Sequence, residues 1–385
     1  MLIATCIFAL LVLASCAYLF LSFFLTCQFN YQRARFDLDV PVECWPSVSQ
    51  LKPLVQLPKD PGEWQGLRSF LEQDYPAPQQ VILALDSKAQ ISHEFLPNDL
   101  TAPVDFSCAE VEAANRKLAV CIPAQRAMRY EYVMISDADM VASPLLLQRA
   151  MTPLVDDKRV GMVTCLYIVK RFSTPGALLE ALSVCDFVSS VLVARLVEGL
   201  KFALGAVMLL KRSTLEEIGG LEAIKDYLAD DYQLGYRVAQ SGRQVALATE
   251  VVEDVLPPMS FKDYFLHQLR WMRTYRISRP GGFCAFLTTQ GFLWSALMLC
   301  CGAQYWWARY LAYFWLLTRL FTGFCNWNIL AGSWRVGWGV LAAPVKDFFY
   351  LILWALSWLG SEVRWGERCY QVTPEGKLVE REAQA

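Results

Sequence analysis

Two carboxylates stand one residue apart at Asp137 and Asp139, directly after the short apolar run Tyr132–Ile135. Such a run predicts a buried strand of a parallel sheet. In open α/β sheets ligands bind beyond the carboxyl ends of the strands, so oxygen ligands at this position could hold a divalent metal against a diphosphate. Two acids on a solvated turn are the alternative, and the D-x-D pattern alone does not decide between them.

Acids stand at an end of a predicted strand or helix at two other points. Asp86 comes directly after Val81–Leu85, which predicts a second strand with an acid at its end. Asp230 and Asp231 begin a predicted helix that ends near Gly242. Adjacent acids at a helix start are favourable to the helix dipole, so on their own they do not require a catalytic role.

A predicted amphipathic helix carries the remaining candidates. Ser260 with Asp263 is an N-cap signature, and Phe261–Ile277 has the periodicity of one helix. Its apolar residues and its Arg273/Arg276 pair are typical of a helix that lies at a membrane surface. Three polar or aromatic residues, at i, i+3 and i+4, share a face. They are His267, Arg270 and Trp271.

The elements that must position these residues alternate between helical and strand patterns from about Ser47 to Leu256. This alternation predicts βαβ units around a mostly parallel sheet. A helix is expected over Asp60–Tyr75 and a further strand over Val160–Tyr167. For Ala177–Leu210, which is apolar but carries five charges, we expect amphipathic helices and then a strand near Ala206–Leu210. A buried core helix is the alternative.

Composition predicts a soluble domain together with a membrane part. The 385 residues are 55% hydrophobic, yet 19% are charged, which is too many for a bundle of membrane helices alone. The chain has 35 basic and 37 acidic side chains and no basic block interleaved with aromatics, which argues against nucleic acid as a partner. Thirteen cysteines without a C-x-x-C, and only two histidines, argue for reduced thiols and against a zinc site.

The N-terminal stretch Leu2–Phe29 contains about 25 uncharged residues, long enough to cross a bilayer. Arg33 and Arg35 follow it. By the positive-inside rule this predicts a protein of the inner or plasma membrane, with its N-terminus outside and its catalytic domain in the cytoplasm. A cleaved signal peptide is the alternative, but no basic residue precedes the apolar run and the run continues past Cys16. Later apolar stretches lie near Phe286–Gly302, Trp306–Phe324 and Val340–Leu359.

Five segments are therefore expected. They are an N-terminal transmembrane anchor over residues 1–30, a catalytic domain over 47–256, an amphipathic interfacial helix over 257–282, transmembrane or interfacial helices over 283–360, and a polar tail over 361–385. Three spans after the anchor would leave the tail outside, whereas two would keep it in the cytoplasm.

The order of the motifs carries a resemblance. Asp86, Asn115-Arg116-Lys117, Asp137-Ala138-Asp139, Asp230-Asp231 and the run from His267 to Trp271, followed by membrane segments, resemble the membrane-bound family 2/21 glycosyltransferases. The similarity is greatest to the bacterial ceramide glucosyltransferases and to the related hopanoid-biosynthesis glycosyltransferases, over about residues 47–372. It implies an α/β fold of GT-A type, with a mostly parallel sheet, flanking helices, an N-terminal membrane anchor and C-terminal transmembrane helices.

The resemblance also implies a donor site. A UDP-sugar would bind with Mg²⁺ or Mn²⁺, the metal held chiefly by Asp139 and also by Asp137, which would lie toward the ribose or the metal. Asp86 would face the uracil. Asn115 and Lys117 would belong to the donor site, with the Lys117 ammonium near the diphosphate.

The implied chemistry is inverting transfer. Asp231 would be the general base, with Asp230 supporting it. Arg270 would counter the charge on the leaving nucleoside diphosphate, and Trp271 would form a wall of the acceptor pocket. His267 stands where the family motif usually has Gln or Arg, a mark of the lipid-transferring subfamily.

The function implied is transfer of a hexose from a UDP-sugar to a membrane lipid hydroxyl, with glucose and ceramide as the favoured pair. Three alternatives stay open. The acceptor could be a hopanoid or a diacylglycerol-type lipid, with UDP-N-acetylglucosamine as donor. The chain could be a processive polysaccharide synthase, although it has few helices to enclose a polymer. It could also be a non-enzymatic membrane scaffold, which the complete set of carboxylates argues against.

Overall fold

The computed structural model describes residues 1–36, 45–54, 61–86, 103–365 and 368–380. Asp60, where the first helix was predicted to begin, and the last five residues of the tail lie outside these ranges. The strands of the described residues are β1 (Val48–Pro53), β2 (Gln79–Leu85), β3 (Val104–Cys108), β4 (Tyr132–Ile135), β5 (Met140–Val141), β6 (Val160–Val169), β7 (Met208–Lys211), β8 (Gln244–Asp254), β9 (Glu362–Trp365), β10 (Arg368–Val372) and β11 (Leu378–Glu380).

Some helices pack against the sheet, and others are the apolar helices of the expected membrane segments. They are α1 (Leu2–Ala34), α2 (Pro61–Leu71), α3 (Arg116–Ala124), α4 (Leu146–Asp156), α5 (Pro175–Glu198), α6 (Arg212–Glu217), α7 (Asp230–Gln240), α8 (Phe261–Ser278), α9 (Pro280–Ala285), α10 (Gly291–Gly302), α11 (Trp306–Ala331) and α12 (Ala343–Ser357). A 3₁₀ turn over Val336–Ala342 leads directly into α12.

An eight-stranded sheet organises the catalytic part, in the order β3-β2-β1-β4-β7-β6-β8-β5. The pairs β1–β2, β2–β3, β1–β4 and β6–β8 are parallel, whereas β7 runs antiparallel to both of its neighbours. The mixed α/β fold with flanking helices and an N-terminal apolar helix, expected from the sequence, is confirmed. The strands predicted before Asp86 and before Asp137 are β2 and β4, and the strand predicted near 206–210 is β7.

The sheet is buried by helices packed against it. Every residue of β2 and β6 is buried, which is why these strands are nearly continuous apolar runs. β1 is also fully buried although it is polar, because its side chains bond to the next strand. Ser49 Oγ donates to Gln80 Oε1 at 2.8 Å, and Gln50 Nε2 donates to Gln79 Oε1 at 3.1 Å. Such pairing removes most of the cost of burying polar groups.

The stretch 177–210 differs from the prediction of several amphipathic helices. It contains one helix, α5, which Thr174 caps by accepting from Ala177 N and which Pro175 begins. In its most apolar stretch of 18 residues, two thirds (67%) of the helix is buried inside the protein. Glu180 bonds to α8, and Asp186 bonds to α11 and α12. The alternative of a buried helix is therefore the correct one for most of its length.

Among the described residues, three helical segments are long and apolar enough to cross a membrane: Leu2–Ala34, Pro175–Glu198 and Val336–Ser357. A pair of helices over Pro280–Thr289 and Gly291–Gly302, bent by 52°, passes the same test if taken as one span. The predicted stretch Trp306–Phe324 forms α11, which is not among them, and α5 was not among the apolar stretches predicted to span.

Buried ion pairs explain the charges within the apolar stretches. Arg319 of α11 contacts Asp186 of α5 at 2.6 Å and Asp347 of α12 at 3.0 Å. Lys346 contacts the same two carboxylates, at 2.5 and 3.0 Å. Two cations therefore balance two anions, as charges in apolar surroundings must. We call these four residues the ion cluster; it joins α5, α11 and α12.

Candidate active site

Lys117 joins the D-x-D segment to the start of α7. Its Nζ lies 2.6 Å from Asp137 Oδ1 and 2.8 Å from Asp230 Oδ2. Burial alone would lower the pKa of Lys117, but the two carboxylates outweigh it and hold that pKa well above its usual value. The ammonium is therefore permanently charged between two acids that are distant in sequence.

Asn115 fixes the position of Lys117. Its side-chain oxygen caps α3 by accepting from Lys117 N at 3.0 Å and from Leu118 N at 3.3 Å. Its Nδ2 donates to Tyr227 O at 3.0 Å and to Asp230 Oδ1 at 3.4 Å. The side chain is thus a structural cap that also ties α3 to the segment before α7.

Asp231 lies beside this group and is held by backbone donors. Its Oδ2 accepts from Gly205 N at 3.0 Å, and its Oδ1 accepts from Tyr232 N at 2.7 Å. Gly205 O in turn accepts from Asp137 N at 3.1 Å, and a Cβ at Gly205 would overlap the Asp137 carboxylate. Burial, and then the negative charge of Asp230, raises the pKa of Asp231 to about 7. A carboxylate with such a pKa can accept a proton near neutral pH.

Asp139 lies among like charges. Burial, and then the charge of Asp137, raises its pKa. Asp254, the last residue of β8, has a pKa raised well above the usual value by burial and then by Asp139. The sequence analysis missed Asp254, although an acid that ends a strand was the signal used for Asp86 and Asp137.

These carboxylates fit a divalent cation. Among the described residues no three His, Cys, Asp or Glu side chains already form a metal cage. Mg²⁺, however, is usually held by one or two carboxylates together with substrate phosphates and water. Asp137 and Asp139 supply two carboxylates, and a cation between them would offset the repulsion that raises the pKa of Asp139.

Lys52 forms hydrogen bonds to the D-x-D segment and to the residue before it. The sequence analysis missed this lysine. Its Nζ donates to Ser136 Oγ at 3.2 Å and to the carbonyl of Asp137, and it lies 3.6 Å from the centre of the Phe70 ring. Burial lowers the pKa of this lysine to about 7. A lone lysine near the end of β1, before Pro53, was the available signal.

Asp86 approaches Arg116, the residue before Lys117. Its Oδ2 is 3.8 Å from Arg116 Nη2, so Arg116 approaches Asp86 while Lys117 approaches Asp137. The following residues Ser87 to Ala89 lie outside the described ranges.

The helix with the His267–Trp271 run begins as predicted, with a complete capping box between Ser260 and Asp263. His267 Nδ1 lies 2.9 Å from Glu180 Oε1, and Gln268 Nε2 donates to the same oxygen at 2.9 Å. His267 therefore contacts α5 and not the Lys117 group. Glu180, which the sequence analysis counted only as a charge within an apolar stretch, is the residue that anchors α8.

Arg270 and Trp271 complete the arrangement. The Arg270 guanidinium lies 5.7 Å from the Trp365 ring of β9, and burial lowers its pKa against the opposing influence of Glu180, Asp137 and Asp231. The Trp271 ring packs against Phe187 at 5.7 Å and Tyr275 at 6.0 Å between ring centres. The Arg270 side chain thus experiences the negative charges of the site, and the neighbouring Trp271 forms part of an aromatic cluster.

Comparison with known proteins identifies one matching family and several curated relatives. The model of glycosyl transferase family 21 matches residues 7–378. Ceramide glucosyltransferase 1 of Caenorhabditis elegans is 25% identical over 309 residues, which cover 77% of this chain and 65% of that protein. Ceramide glucosyltransferase 3 of the same organism is 24% identical over 246 residues, covering 59% and 50%. The chain thus spans between half and two thirds of the length of these curated relatives.

The solved structures that match this chain are more distant in sequence. A mannosyltransferase from Pyrobaculum calidifontis, in complex with GDP-Man and Mn²⁺, is 18% identical with a TM-score of 0.46, covering 91% of this chain and 99% of that one. Glucosyl-3-phosphoglycerate synthase from Mycobacterium tuberculosis, in complex with Mn²⁺, UDP and phosphoglyceric acid, is 12% identical with a TM-score of 0.37, covering 56% and 73%.

Proposed function

The chain belongs to glycosyl transferase family 21, and from this premise we propose that it transfers one hexose from a UDP-sugar to the hydroxyl of a membrane lipid. We propose UDP-glucose as donor and ceramide as acceptor, since two curated relatives are ceramide glucosyltransferases. The observation that carries the proposal is the meeting of Asp137, Lys117, Asp230 and Asp231 beside the end of β4.

The donor half of the site is built for a diphosphate. Lys117 offers a compact positive charge whose partners, Asp137 and Asp230, keep it ionised. Asp139 and Asp137 would hold Mg²⁺ or Mn²⁺, which when bound would offset the charge of the diphosphate. Asp86 and Arg116 form a separate polar pair at the end of β2, where we propose that the uracil binds.

Asp231 is the proposed general base. In single displacement its carboxylate takes the proton of the lipid hydroxyl while the hydroxyl oxygen forms a bond to the anomeric carbon. The bond between that carbon and the diphosphate oxygen breaks, and UDP leaves with the electron pair. Asp230, paired with Lys117, keeps negative charge beside Asp231 and so keeps its proton affinity high. The Arg270 guanidinium offsets the charge that grows on the leaving group.

The acceptor side would lie at the cytoplasmic membrane surface. Removing a lipid from the bilayer costs about 0.8 kcal/mol for each CH₂ exposed, so the enzyme must approach the headgroup layer instead. Trp271, Phe187 and Tyr275 form an apolar wall next to Arg270, and α8 packs along α12, one of the candidate spans. We propose that the lipid enters along this wall.

The direct test is mass spectrometry of the lipids made when the chain is expressed in a host without glycolipids, supplied with ceramide or with a hopanoid. Hexosylceramide should accumulate with the native chain and not with Asp231→Asn expressed at the same level. A hexosylated or N-acetylhexosaminylated hopanoid would change the proposed acceptor but not the reaction class. A water-soluble polymer, or no new glycolipid with either acceptor, would overturn the proposal.

A further inference from the structure

An open cavity of about 430 Å³ lies where α1 meets the catalytic domain. Four elements line it: the end of α1, the loop before α4, α4 itself and β8. The lining residues that matter here are Asn30, Arg33, Ser143, Leu145, Arg149 and Glu250. None of them belongs to the site described above, so the cavity has no role in the proposed transfer.

The cavity contains two arginines against one acid. Arg33 Nη2 lies 3.3 Å from Glu250 Oε1, and Arg149 Nη1 lies 3.3 Å from Glu250 Oε2. Glu250 is only 1% exposed, and its charge is divided between the two guanidinium groups. The charged lining therefore has a net charge of one positive unit.

Polar groups in the lining remain without partners. Among the described residues, neither Arg149 Nε nor Ser143 Oγ has a hydrogen-bond partner, although both atoms are buried. Buried donors of this kind usually bond to protein, water or ligand. In addition, α4 begins directly beyond Leu145 with no acidic residue in its first turn, so its positive dipole end adds to the charge of the arginines.

The cavity lies at the depth of lipid headgroups. The outer face of α1 is apolar at Phe24 and becomes polar at Gln28, which sets the hydrocarbon boundary within this part of the helix. Arg33 is about 8 Å beyond Gln28 at 1.5 Å per residue. The headgroup layer is roughly 5–8 Å thick on each side of the hydrocarbon core. A phosphate at that depth can reach both arginines.

We propose that this cavity binds a phosphate group, presented by an anionic phospholipid of the membrane. Arg149 and Arg33 would supply charge-assisted hydrogen bonds. Bound lipid would fix α1, α4 and β8 against the bilayer surface. The proposal does not depend on which sugar or acceptor the enzyme uses, because it concerns none of the residues of the transfer site.

The test uses the full chain purified in detergent, with its affinity measured by titration. The probes are short-chain phosphatidylglycerol, phosphatidylcholine of the same chain length, and inorganic phosphate. Arg33→Gln and Arg149→Gln should each weaken binding of phosphatidylglycerol about tenfold, the usual effect of losing one charge-assisted hydrogen bond. Ser143→Leu, which narrows the cavity and keeps every charge, should weaken it as well. The matched control is Arg35→Gln, two residues along α1, where Arg35 lies over the Tyr31 ring outside the cavity lining.

The outcomes distinguish a lipid phosphate from free inorganic phosphate as the ligand. Arginine-dependent binding of phosphatidylglycerol without binding of inorganic phosphate supports the lipid. If inorganic phosphate also binds and depends on the same arginines, the phosphate group alone is recognised. Equal affinity for phosphatidylglycerol and phosphatidylcholine, or equal binding by the native chain, Arg33→Gln and Ser143→Leu, overturns the proposal. Arg33→Gln keeps the Arg149–Glu250 pair, so the test stands even if Arg149→Gln does not fold.

Discussion

Asp231 and Asp139 are both buried acids with a raised pKa, yet their surroundings suit them to opposite tasks. Asp231 has Asp230 as its main like charge, with Lys117 nearby, and backbone donors hold both of its oxygens. The negative charge of Asp137 raises the pKa of Asp139, and the charge of Asp139 in turn raises the pKa of Asp254. A single acid whose pKa is near 7 can exchange a proton, whereas a group of acids that repel each other calls for a cation.

We expect Asp231→Asn to separate chemistry from binding. The amide keeps the size of the carboxylate but cannot accept the proton, so kcat should fall roughly 10²- to 10⁴-fold. The KM for UDP-sugar should change little, because Lys117 and Asp137 remain. Steady-state kinetics with lipid acceptor measure both values. If only donor affinity falls, the base lies elsewhere, and Asp230 would be the next residue to test.

The pH dependence of transfer should follow Asp231. The base must be ionised, and its pKa is raised to about 7, so kcat/KM should rise with pH up to about 7 and level off above it. The charges that face it are Asp230 and Asp137, which raise the pKa, and Lys117, which lowers it. Asp230→Asn should therefore move the acid limb to lower pH. An acid limb unmoved by that substitution would exclude Asp231 as its origin.

Metal removal should abolish transfer. Asp139→Ala removes the proposed chief ligand, so donor binding and activity should fall together, and EDTA should have the same effect on the native chain. Calorimetric titration with UDP in the presence and absence of Mn²⁺ measures the coupling. Glu217→Gln, on α6, is a control that should behave as the native chain. Full turnover in EDTA would contradict the metal assignment to Asp137 and Asp139.

Residues with a local pattern could be predicted, and residues without one could not. Asp137, Asp139 and Asp231 stand in short motifs at predicted element ends. Lys52 and Glu180 have no such pattern, because each acts on a segment about 85 residues away in sequence. Only the tertiary structure brings Lys52 beneath Asp137 and Glu180 beside His267.

At the scale of elements, the ion cluster makes α5, α11 and α12 depend on one another. Arg319→Met leaves Asp186 and Asp347 with Lys346 alone, and an unbalanced buried charge typically costs about 3–5 kcal/mol. We expect a clear fall in the unfolding temperature in detergent, measured by tryptophan fluorescence. Arg309→Met, at an exposed position of α11, is the matched control and should unfold with the native chain. Equal stability of the two variants would show that the cluster contributes little.

Elements with strong local signals were also those predicted with nearly correct ends. The capping box of Ser260 and Asp263 starts α8 at Phe261, and α8 ends at Ser278, one residue beyond the prediction. β1 was not predicted, because Ser49 and Gln50 interrupt any apolar period and become buried only through Gln79 and Gln80. The antiparallel pairing of β7 between β4 and β6 depends on contacts far apart in sequence and has no local signal.

At the scale of the whole molecule, the site and the membrane helices form one unit. Because α8 carries Arg270 and packs on α12, the wall proposed for the acceptor adjoins a candidate span. We expect that soluble sugars and oligosaccharides at millimolar levels will not be glycosylated by the purified chain, whereas long-chain lipid acceptors will. Radiolabel transfer from UDP-glucose into aqueous and organic phases measures this. Efficient glycosylation of a soluble oligosaccharide would favour a polysaccharide synthase.

The position of α5 between β6 and β7 also orders events during biosynthesis. The centre of the sheet cannot be completed before β7 is made, and α5 precedes β7 in the chain. Its partners α11 and α12 come much later, and synthesis from Glu198 to Ser357 takes on the order of ten seconds. During that interval the unpaired Asp186 and the apolar faces of α5 are open to chaperones and proteases. A chain whose last helices insert wrongly would therefore present a nascent defect that cellular quality control can recognise before any activity appears.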